Sequence, residues 1–195
     1  KLNLIKKICL LSNVFLIIQV DNPEKSYLIE SLEDCNTRIR VNEYNIGAPA
    51  TRNKGINESK ADIIIFLDDD VKPNEDSIIN IRNYLSSNKN VCGVIGNVIF
   101  PESKNIWHEG TRMSHILTPF NWPENLLKNF APWGVTAFLC VYRKFNVNFD
   151  EEYSKTGGGE DVDYCLRVVK KSNLLFGRCN SYVIHEFWEI DNSIL

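Results

Sequence analysis

The chain has 195 residues, and 22 Lys and Arg against 25 Asp and Glu leave a net charge of −3 at pH 7. Its 44% hydrophobic and 24% charged residues are typical of a globular protein and exclude disordered, collagen-like and coiled-coil chains. The slight acidity argues against nucleic-acid binding, because such a protein needs basic groups to neutralise phosphates. We therefore expect one domain, residues 1–195, with a substantial apolar core.

The first residues look like a targeting signal only in part. Lysines at positions 1, 6 and 7 precede an apolar run over 8–11, but Ser12 and Asn13 interrupt it and a poor cleavage region follows. No segment reaches the roughly 18 apolar residues that a membrane span requires. The six scattered cysteines indicate reduced, buried thiols. These features predict a domain without a transmembrane segment, placed in the cytoplasm, alone or at a membrane surface.

Short apolar runs alternate with helical patterns along the chain. The predicted elements are helix 2–11, strand 14–20, helix 24–34, strand 38–41, helix 48–59, strand 63–67, helix 75–86, strand 91–100, strand 135–142, helix 160–171 and strand 180–184. This alternation predicts an α/β fold with a mostly parallel sheet flanked by helices. Residues 101–132 break the pattern and are long enough to predict a functional loop or lid.

Acidic side chains follow two of the predicted strands directly. Asp21 ends one strand, and Asp68, Asp69 and Asp70, the aspartate trio, end another. Because ligands of open α/β sheets bind at the carboxyl ends of strands, both groups should reach the same edge. Three adjacent carboxylates repel one another, and a bound Mg²⁺ or Mn²⁺ would relieve that repulsion. The alternative is a solvated acidic turn that caps the next helix.

A second acidic group opens the predicted helix 160–171. Three glycines at 157–159 give the backbone freedom, and Glu160 and Asp161, the acidic pair, then occupy the first turn, where the helix dipole favours negative charge. A carboxylate placed there can accept a proton from a sugar hydroxyl as a general base. Acidic capping of the helix after a glycine loop explains the same residues, and this segment alone leaves both interpretations open.

Four segments carry motifs in a fixed order. They are Val-Asp-Asn at 20–22, Asn-Ile-Gly with Ala-Thr-Arg-Asn-Lys-Gly-Ile across 45–56, the strand with three aspartates at 61–73, and Gly-Gly-Glu-Asp-Val-Asp through Arg at 158–167. Together they resemble the family-2 glycosyltransferases of the GT-A fold, over about 14–188 of the chain. The resemblance implies metal-dependent, inverting transfer of a sugar from a nucleotide-sugar, a UDP-sugar, to a glycan or another hydroxyl acceptor, with Mn²⁺ or Mg²⁺ as the cofactor.

The resemblance also implies roles for individual residues. Residues 1–100 would bind the nucleotide, and 101–195 would hold the acceptor and the catalytic groups. The implied roles are Asp21 on the nucleotide base, Arg52 on the base or diphosphate, Asp68 on the ribose and metal-bound diphosphate, Asp69 beside the donor, Asp70 as the direct metal ligand with Asp68 nearby, His185 as a further metal or diphosphate ligand, Asp161 as the catalytic base, Glu160 on acceptor hydroxyls, and Trp133 on a sugar face or in the core. The trio and the acidic pair should therefore share one cleft around a cation.

One feature departs from the family. Its members open with a central strand that ends in a nucleotide-binding turn, whereas this chain begins in the predicted helix 2–11, so we expect a fragment or a copy that has lost that strand. A non-catalytic module that binds a nucleotide-sugar or glycan is therefore the alternative function. A nucleotidyltransferase would also use paired carboxylates and a metal, but no Gly-rich phosphate loop is visible. The sugar, the acceptor, the preferred metal and the oligomeric state cannot be read from the sequence.

Overall fold

The computed structural model describes residues 1–99, 129–155 and 158–185. Its α-helices are α1 Leu2–Leu11, α2 Ala48–Glu58, α3 Ser77–Ser87 and α4 Glu160–Ser172. Its strands are β1 Leu16–Val20, β2 Thr37–Val41, β3 Ile63–Leu67, β4 Val71–Pro73, β5 Gly93–Ile99, β6 Phe130–Ala131, β7 Phe138–Tyr142 and β8 Phe176–His185. Apart from the predicted helix 24–34, the predicted elements occur in the predicted order, and β4 and β6 are two short additions.

The described strands form two sheets. β1 and β2 pair in parallel, with Leu16 opposite Thr37. The larger sheet has the order β3-β7-β5-β8-β4, and β6 lies beside β8. Within it only β5 and β8 run parallel, and the other pairs are antiparallel. The α/β class is confirmed, but the sheet is mixed rather than mostly parallel, because β7 enters between β3 and β5 in the direction opposite to both.

The helices cover both sheets with apolar side chains. In α1, Ile5 and Ile8 are buried against a cluster that includes Leu16 of β1 and Ile65 of β3. The two strands do not pair with each other within the described residues, so packing of α1 is one of the connections between the sheets. On the other side of the larger sheet, α4 buries Tyr164 together with residues of β3, β5 and β7.

Two predicted helices differ from the structure. Residues 24–34 form two short 3₁₀ turns, Pro23–Leu28 and Glu30–Leu32, instead of one α-helix, because Ile29 adopts φ −127° and ψ −4° between them. The helix predicted at 75–86 begins two residues later, at Ser77, because Asn74 accepts a hydrogen bond from the amide of Asp76 and forms a turn first.

The buried face of α4 also differs from its apolar pattern. Val162, Cys165, Leu166 and Val169 suggest one face, but Tyr164, Cys165 and Val168 are buried and Leu166 is 46% exposed. The aromatic ring of Tyr164 decides the rotation of the helix, because it stacks on Phe149 with 4.1 Å between ring centroids. Sequence spacing gives no information about such a distant partner.

The remaining predictions concern cysteines, membrane spans and the loop. Five of the six cysteines are buried, Cys35 is exposed, and all six are free thiols. Among the described residues, no helix has the length and apolar character needed to cross a membrane. Of the predicted loop 101–132, residues 101–128 lie outside the described part, and Phe130–Ala131 form β6.

Candidate active site

Asp21 follows β1 and ties the end of that strand to the loop before α2. Its Oδ1 accepts hydrogen bonds from Nδ2 of Asn42 at 3.0 Å and from the amide of Ile46 at 2.8 Å, and its Oδ2 accepts from the amide of Gly47 at 2.9 Å. Burial opposes ionisation, but these hydrogen bonds outweigh it and hold the pKa of Asp21 below its ordinary value. Asp21 therefore shapes the entry to α2, and its contact with a nucleotide base stays a prediction.

Arg52 of α2 brings the two predicted acidic groups together. Its guanidinium donates to Oδ1 of Asp68 at 3.1 Å and to Oε1 of Glu160 at 3.0 Å, and it lies 3.9 Å from Oδ1 of Asp161. The Arg52 side chain is 19% exposed, so much of this cluster is shielded from water. Asp68 of the aspartate trio and the acidic pair thus meet at one guanidinium. Contact of Arg52 with a nucleotide base or diphosphate stays a prediction.

An aromatic platform supports Arg52 from below. Its guanidinium carbon lies 5.7 Å from the ring centroid of Phe149, which stacks in turn on Tyr164. The neighbouring Asn53 holds this platform, because its Oδ1 accepts from the amide of Phe149 at 2.7 Å and its Nδ2 donates to the Phe149 carbonyl at 3.0 Å. In the Ala-Thr-Arg-Asn motif, Arg52 therefore joins the carboxylate cluster, and Asn53 fixes the segment around Phe149 that lies under Arg52. Sequence reasoning missed this role of Asn53.

The cluster shifts the ionisation of its members. Burial raises the pKa of the Asp68 carboxyl above its ordinary value, and Arg52 only partly opposes this. Burial likewise raises the pKa of Asp161, against the lowering influence of Arg52 and of hydrogen bonds from Thr136. Burial by itself would lower the pKa of Arg52, but Asp68 and Asp161 outweigh it and raise that pKa. Arg52 therefore stays a cation between two carboxyls that protonate more readily than in water.

The first turn of α4 presents the acidic pair to the cluster. Gly159 precedes the helix with a φ of 97°, a conformation that favours glycine, and Glu160 and Asp161 come next. Thr136, just before β7, donates to Asp161 through its hydroxyl at 2.9 Å and through its amide at 3.2 Å. The acidic pair therefore lies where the helix dipole favours negative charge and also faces Arg52. No sequence motif indicated Thr136.

Asp70 and His185 come together at the far end of the aspartate trio. The β4–β8 pairing sets Val71 opposite His185, and this register brings Nε2 of His185 to 3.2 Å from Oδ2 of Asp70. The other oxygen of Asp70, Oδ1, is buried and accepts no hydrogen bond from the part of the chain that the structure describes. The described residues contain no group of three or more His, Cys, Asp or Glu side chains placed to hold a metal ion. Asp70 and His185 can therefore supply two ligands to a cation.

Two other predicted positions remain. Asp69 is exposed between its two neighbours in the trio. Trp133 is half-buried and packs against the core cluster that includes Leu139 of β7, and its contact with a sugar stays a prediction.

Asp163, in the first turn of α4, pairs with Arg167 at 2.6 Å. That ion pair lies within the helix, and neither member is bonded to Arg52 or to the trio.

Comparison with known proteins identifies the family. A profile described as glycosyl transferase family 2 matches residues 3–152, which is more than half of the chain. The chain belongs to glycosyl transferase family 2. No curated protein matches it.

Solved structures confirm the GT-A fold of this family-2 chain. GalNAc-T7 with UDP, GalNAc and Mn²⁺ has a TM-score of 0.61 and 13% identity, over 89% of this chain and 37% of that one. TarS 1-349 from S. aureus has a TM-score of 0.60 and 12% identity, over 94% of this chain and 52% of that one. The same TarS segment with UDP-GlcNAc has a TM-score of 0.65 and 12% identity, over 96% and 54%. This chain thus spans only about a third to a half of those proteins.

Proposed function

We propose that this chain transfers a sugar from a UDP-sugar to a hydroxyl of a glycan or another acceptor, with a divalent cation and with inversion at the anomeric carbon. The observation that carries the proposal is the convergence on Arg52 of Asp68, from the end of β3, and the acidic pair, from the start of α4. Membership of the family supports it. The fold neighbours bound to UDP with Mn²⁺ and to UDP-GlcNAc are consistent with it.

The donor side of the site is the trio with His185. Carboxylate oxygens are the ligands that Mg²⁺ and Mn²⁺ prefer, and the buried, unsatisfied Oδ1 of Asp70 fits such an ion. Asp70 and His185 would hold the cation, with Asp68 nearby, and the diphosphate of the donor would complete the ligand set. When bound, the cation neutralises charge on the leaving diphosphate. The ion would also offset the repulsion among the three carboxylates.

The acceptor side of the site is the acidic pair. Asp161 is largely buried and has a raised pKa, which makes its carboxylate a stronger base than one in water. In the proposed displacement, the acceptor oxygen bonds to the anomeric carbon while the bond from that carbon to the diphosphate oxygen breaks. The hydroxyl proton passes to Asp161. Glu160, held by Arg52 at 3.0 Å, faces the same space and would orient the acceptor hydroxyls.

The decisive experiment replaces the base and keeps the rest of the site. We expect Asp161→Asn to lower turnover of UDP-sugars about 10²–10⁴-fold, while UDP still binds in the presence of Mn²⁺. Turnover is measured with a panel of UDP-sugars, by transfer or hydrolysis, and binding by calorimetry. The matched control is Asp163→Asn, two residues further along the same turn, because the Asp163 carboxylate is engaged by Arg167 and not by Arg52. This variant should keep its activity.

Three results would count against parts of the proposal. Normal turnover by the Asp161→Asn protein would show that another group is the base. Binding of UDP and Mn²⁺ by the parent protein, with no turnover of any donor in the panel, would instead favour the non-catalytic binding module. Absence of binding to any nucleotide would reject both sugar transfer from a nucleotide-sugar and a nucleotide-sugar-binding module, and would leave a glycan-binding module.

A further inference from the structure

Thr136 contacts both oxygens of the proposed base. Its hydroxyl donates to Oδ1 of Asp161 at 2.9 Å, and its backbone amide donates to Oδ2 at 3.2 Å. Thr136 is 0% exposed, so water does not compete for either hydrogen bond. A carboxylate that accepts from one residue through both oxygens cannot rotate about its Cβ–Cγ bond without breaking one of these bonds. The orientation of Asp161 is therefore set by Thr136.

The position of Thr136 in the fold links the two halves of the site. β7 pairs with β3 so that Phe138, two residues after Thr136, lies opposite Leu67. Leu67 is the last residue of β3, and Asp68 follows it directly. The pairing of β3 with β7 therefore positions both Thr136, which holds Asp161, and Asp68, which begins the aspartate trio. A shift of β7 against β3 would move the base relative to the donor side.

We propose that Thr136 is a positioning residue for catalysis, which aims the Asp161 carboxylate at the acceptor hydroxyl. This inference rests on the proposed function of Asp161 as the base. Thr136 itself would not touch the reacting atoms. It would act by keeping one carboxylate geometry, and so by holding the acceptor oxygen in line with the anomeric carbon.

The charged and titratable neighbours of Asp161 are few. Arg52 approaches from α2, and Glu160 and Cys165 lie on its own helix. Loss of the Thr136 hydroxyl leaves these groups in place and removes one donor from the ionised carboxylate. A donor to the charged form favours that form, so its loss raises the pKa of Asp161 further. The acid limb of the pH–rate profile should therefore move to higher pH when the Thr136 hydroxyl is removed.

The test compares Thr136→Val with Thr136→Ser. Valine keeps the shape and the backbone amide but removes the hydroxyl, whereas serine keeps the hydroxyl. With the UDP-sugar panel and Mn²⁺, we expect valine to lower kcat about tenfold to a hundredfold, the size of a lost hydrogen bond to a charged group. KM for the donor should stay unchanged, the acid limb should move to higher pH, and serine should restore most of the rate. Thr37→Val, at the opposite end of β2 from the site and 2% exposed, controls for loss of a buried hydroxyl.

The outcomes separate this inference from the proposed function. If Thr136→Val lowers only the melting temperature, with kcat and the pH profile unchanged, Thr136 is structural and the inference fails, while an inactive Asp161→Asn protein still supports the base. If the parent turns over no donor, the proposed function fails. The Asp161 carboxyl carbon can then be titrated by NMR, and the valine variant must show a higher pKa that serine returns to the parent value. An unchanged pKa would overturn the inference in that case too.

Discussion

Replacement of Arg52 by methionine tests whether this cation offsets the repulsion among the buried carboxylates of the site. The structure pairs this cation with Asp68 at 3.1 Å and Glu160 at 3.0 Å, and it lies 3.9 Å from Asp161. At an effective dielectric constant of ~20, each of these contacts corresponds to about 4–6 kcal/mol of gross Coulomb energy, most of it offset by desolvation. Removal of one partner from such a buried group costs about 3–5 kcal/mol, because the other charges remain uncompensated. We expect Arg52→Met to lose that much unfolding free energy at pH 7.

The pH dependence gives the same experiment a second, sharper readout. Burial raises the pKa values of Asp68 and Asp161 in the folded protein above those in the unfolded chain. Protonation of these carboxyls therefore stabilises the fold. That contribution to the unfolding free energy is complete below the unfolded pKa and is lost as the pH rises through the folded pKa. Arg52 lowers both pKa values, so its removal raises them further. The variant therefore takes up protons at higher pH than the parent. The difference in stability between the two proteins should narrow as pH falls from about 7 to about 5.

Urea or guanidinium unfolding at several pH values, without metal, measures this difference. Arg38→Met is the matched control, because the Arg38 side chain is 44% exposed and its partner Glu58 keeps a second ion pair with Arg40 at 2.8 Å. Loss of an ion pair from such a solvated guanidinium costs about 0–1 kcal/mol. The reasoning is refuted if Arg52→Met costs no more than Arg38→Met at pH 7. It is also refuted if the loss is the same at every pH, since the carboxylates would then not be responsible.

Two further predictions concern the metal pair and the sheet. We expect His185→Ala and Asp70→Asn each to weaken Mn²⁺-dependent binding of UDP at least about tenfold, the usual minimum for loss of a metal ligand or its partner. Calorimetry measures this binding, and unchanged affinity would exclude Asp70 and His185 as the cation site. In the sheet, Gly93→Ala should lower the free energy of unfolding by about 1–3 kcal/mol, because the added Cβ would overlap the Cys140 carbonyl of β7. Gly55→Ala in α2 should change that free energy by no more than about 1 kcal/mol, because alanine favours the helix. Denaturant unfolding measures both variants. Equal effects of the two glycine changes would contradict the β5–β7 packing.

The sequence was most informative where a strand is short, apolar and followed by charge. β3 lies where it was predicted, Ile63–Leu67, because five apolar residues end abruptly on three aspartates. The resemblance to the family also implied that the trio and the acidic pair share one cleft, and Asp68, Glu160 and Asp161 do lie around Arg52. Local pattern was sufficient for β3, whereas the shared cleft followed from the family motifs.

Contacts between distant segments could not be predicted in this way. The antiparallel entry of β7 depends on pairing with β3 and β5, and nothing within Phe138–Tyr142 indicates the direction of its partners. Leu166 looked like a core residue from its spacing, yet the stacking of Tyr164 turned it towards solvent. Thr136 was missed for the same reason, since a single threonine gains its role only when α4 is folded against it.

The side-chain packing between the two sheets has a consequence for local unfolding of the protein. Within the described residues, no backbone ladder joins β1 to β3, and side chains of α1 such as Ile8 bridge them instead. Side-chain contacts separate more readily than a hydrogen-bonded ladder, so the first subglobal fluctuation should part β1 and β2 from the rest. Asp21 would leave with one half and Asp68 would stay with the other. Under the proposed function, nucleotide binding would therefore depend on the apolar packing of α1 that keeps the two sheets together.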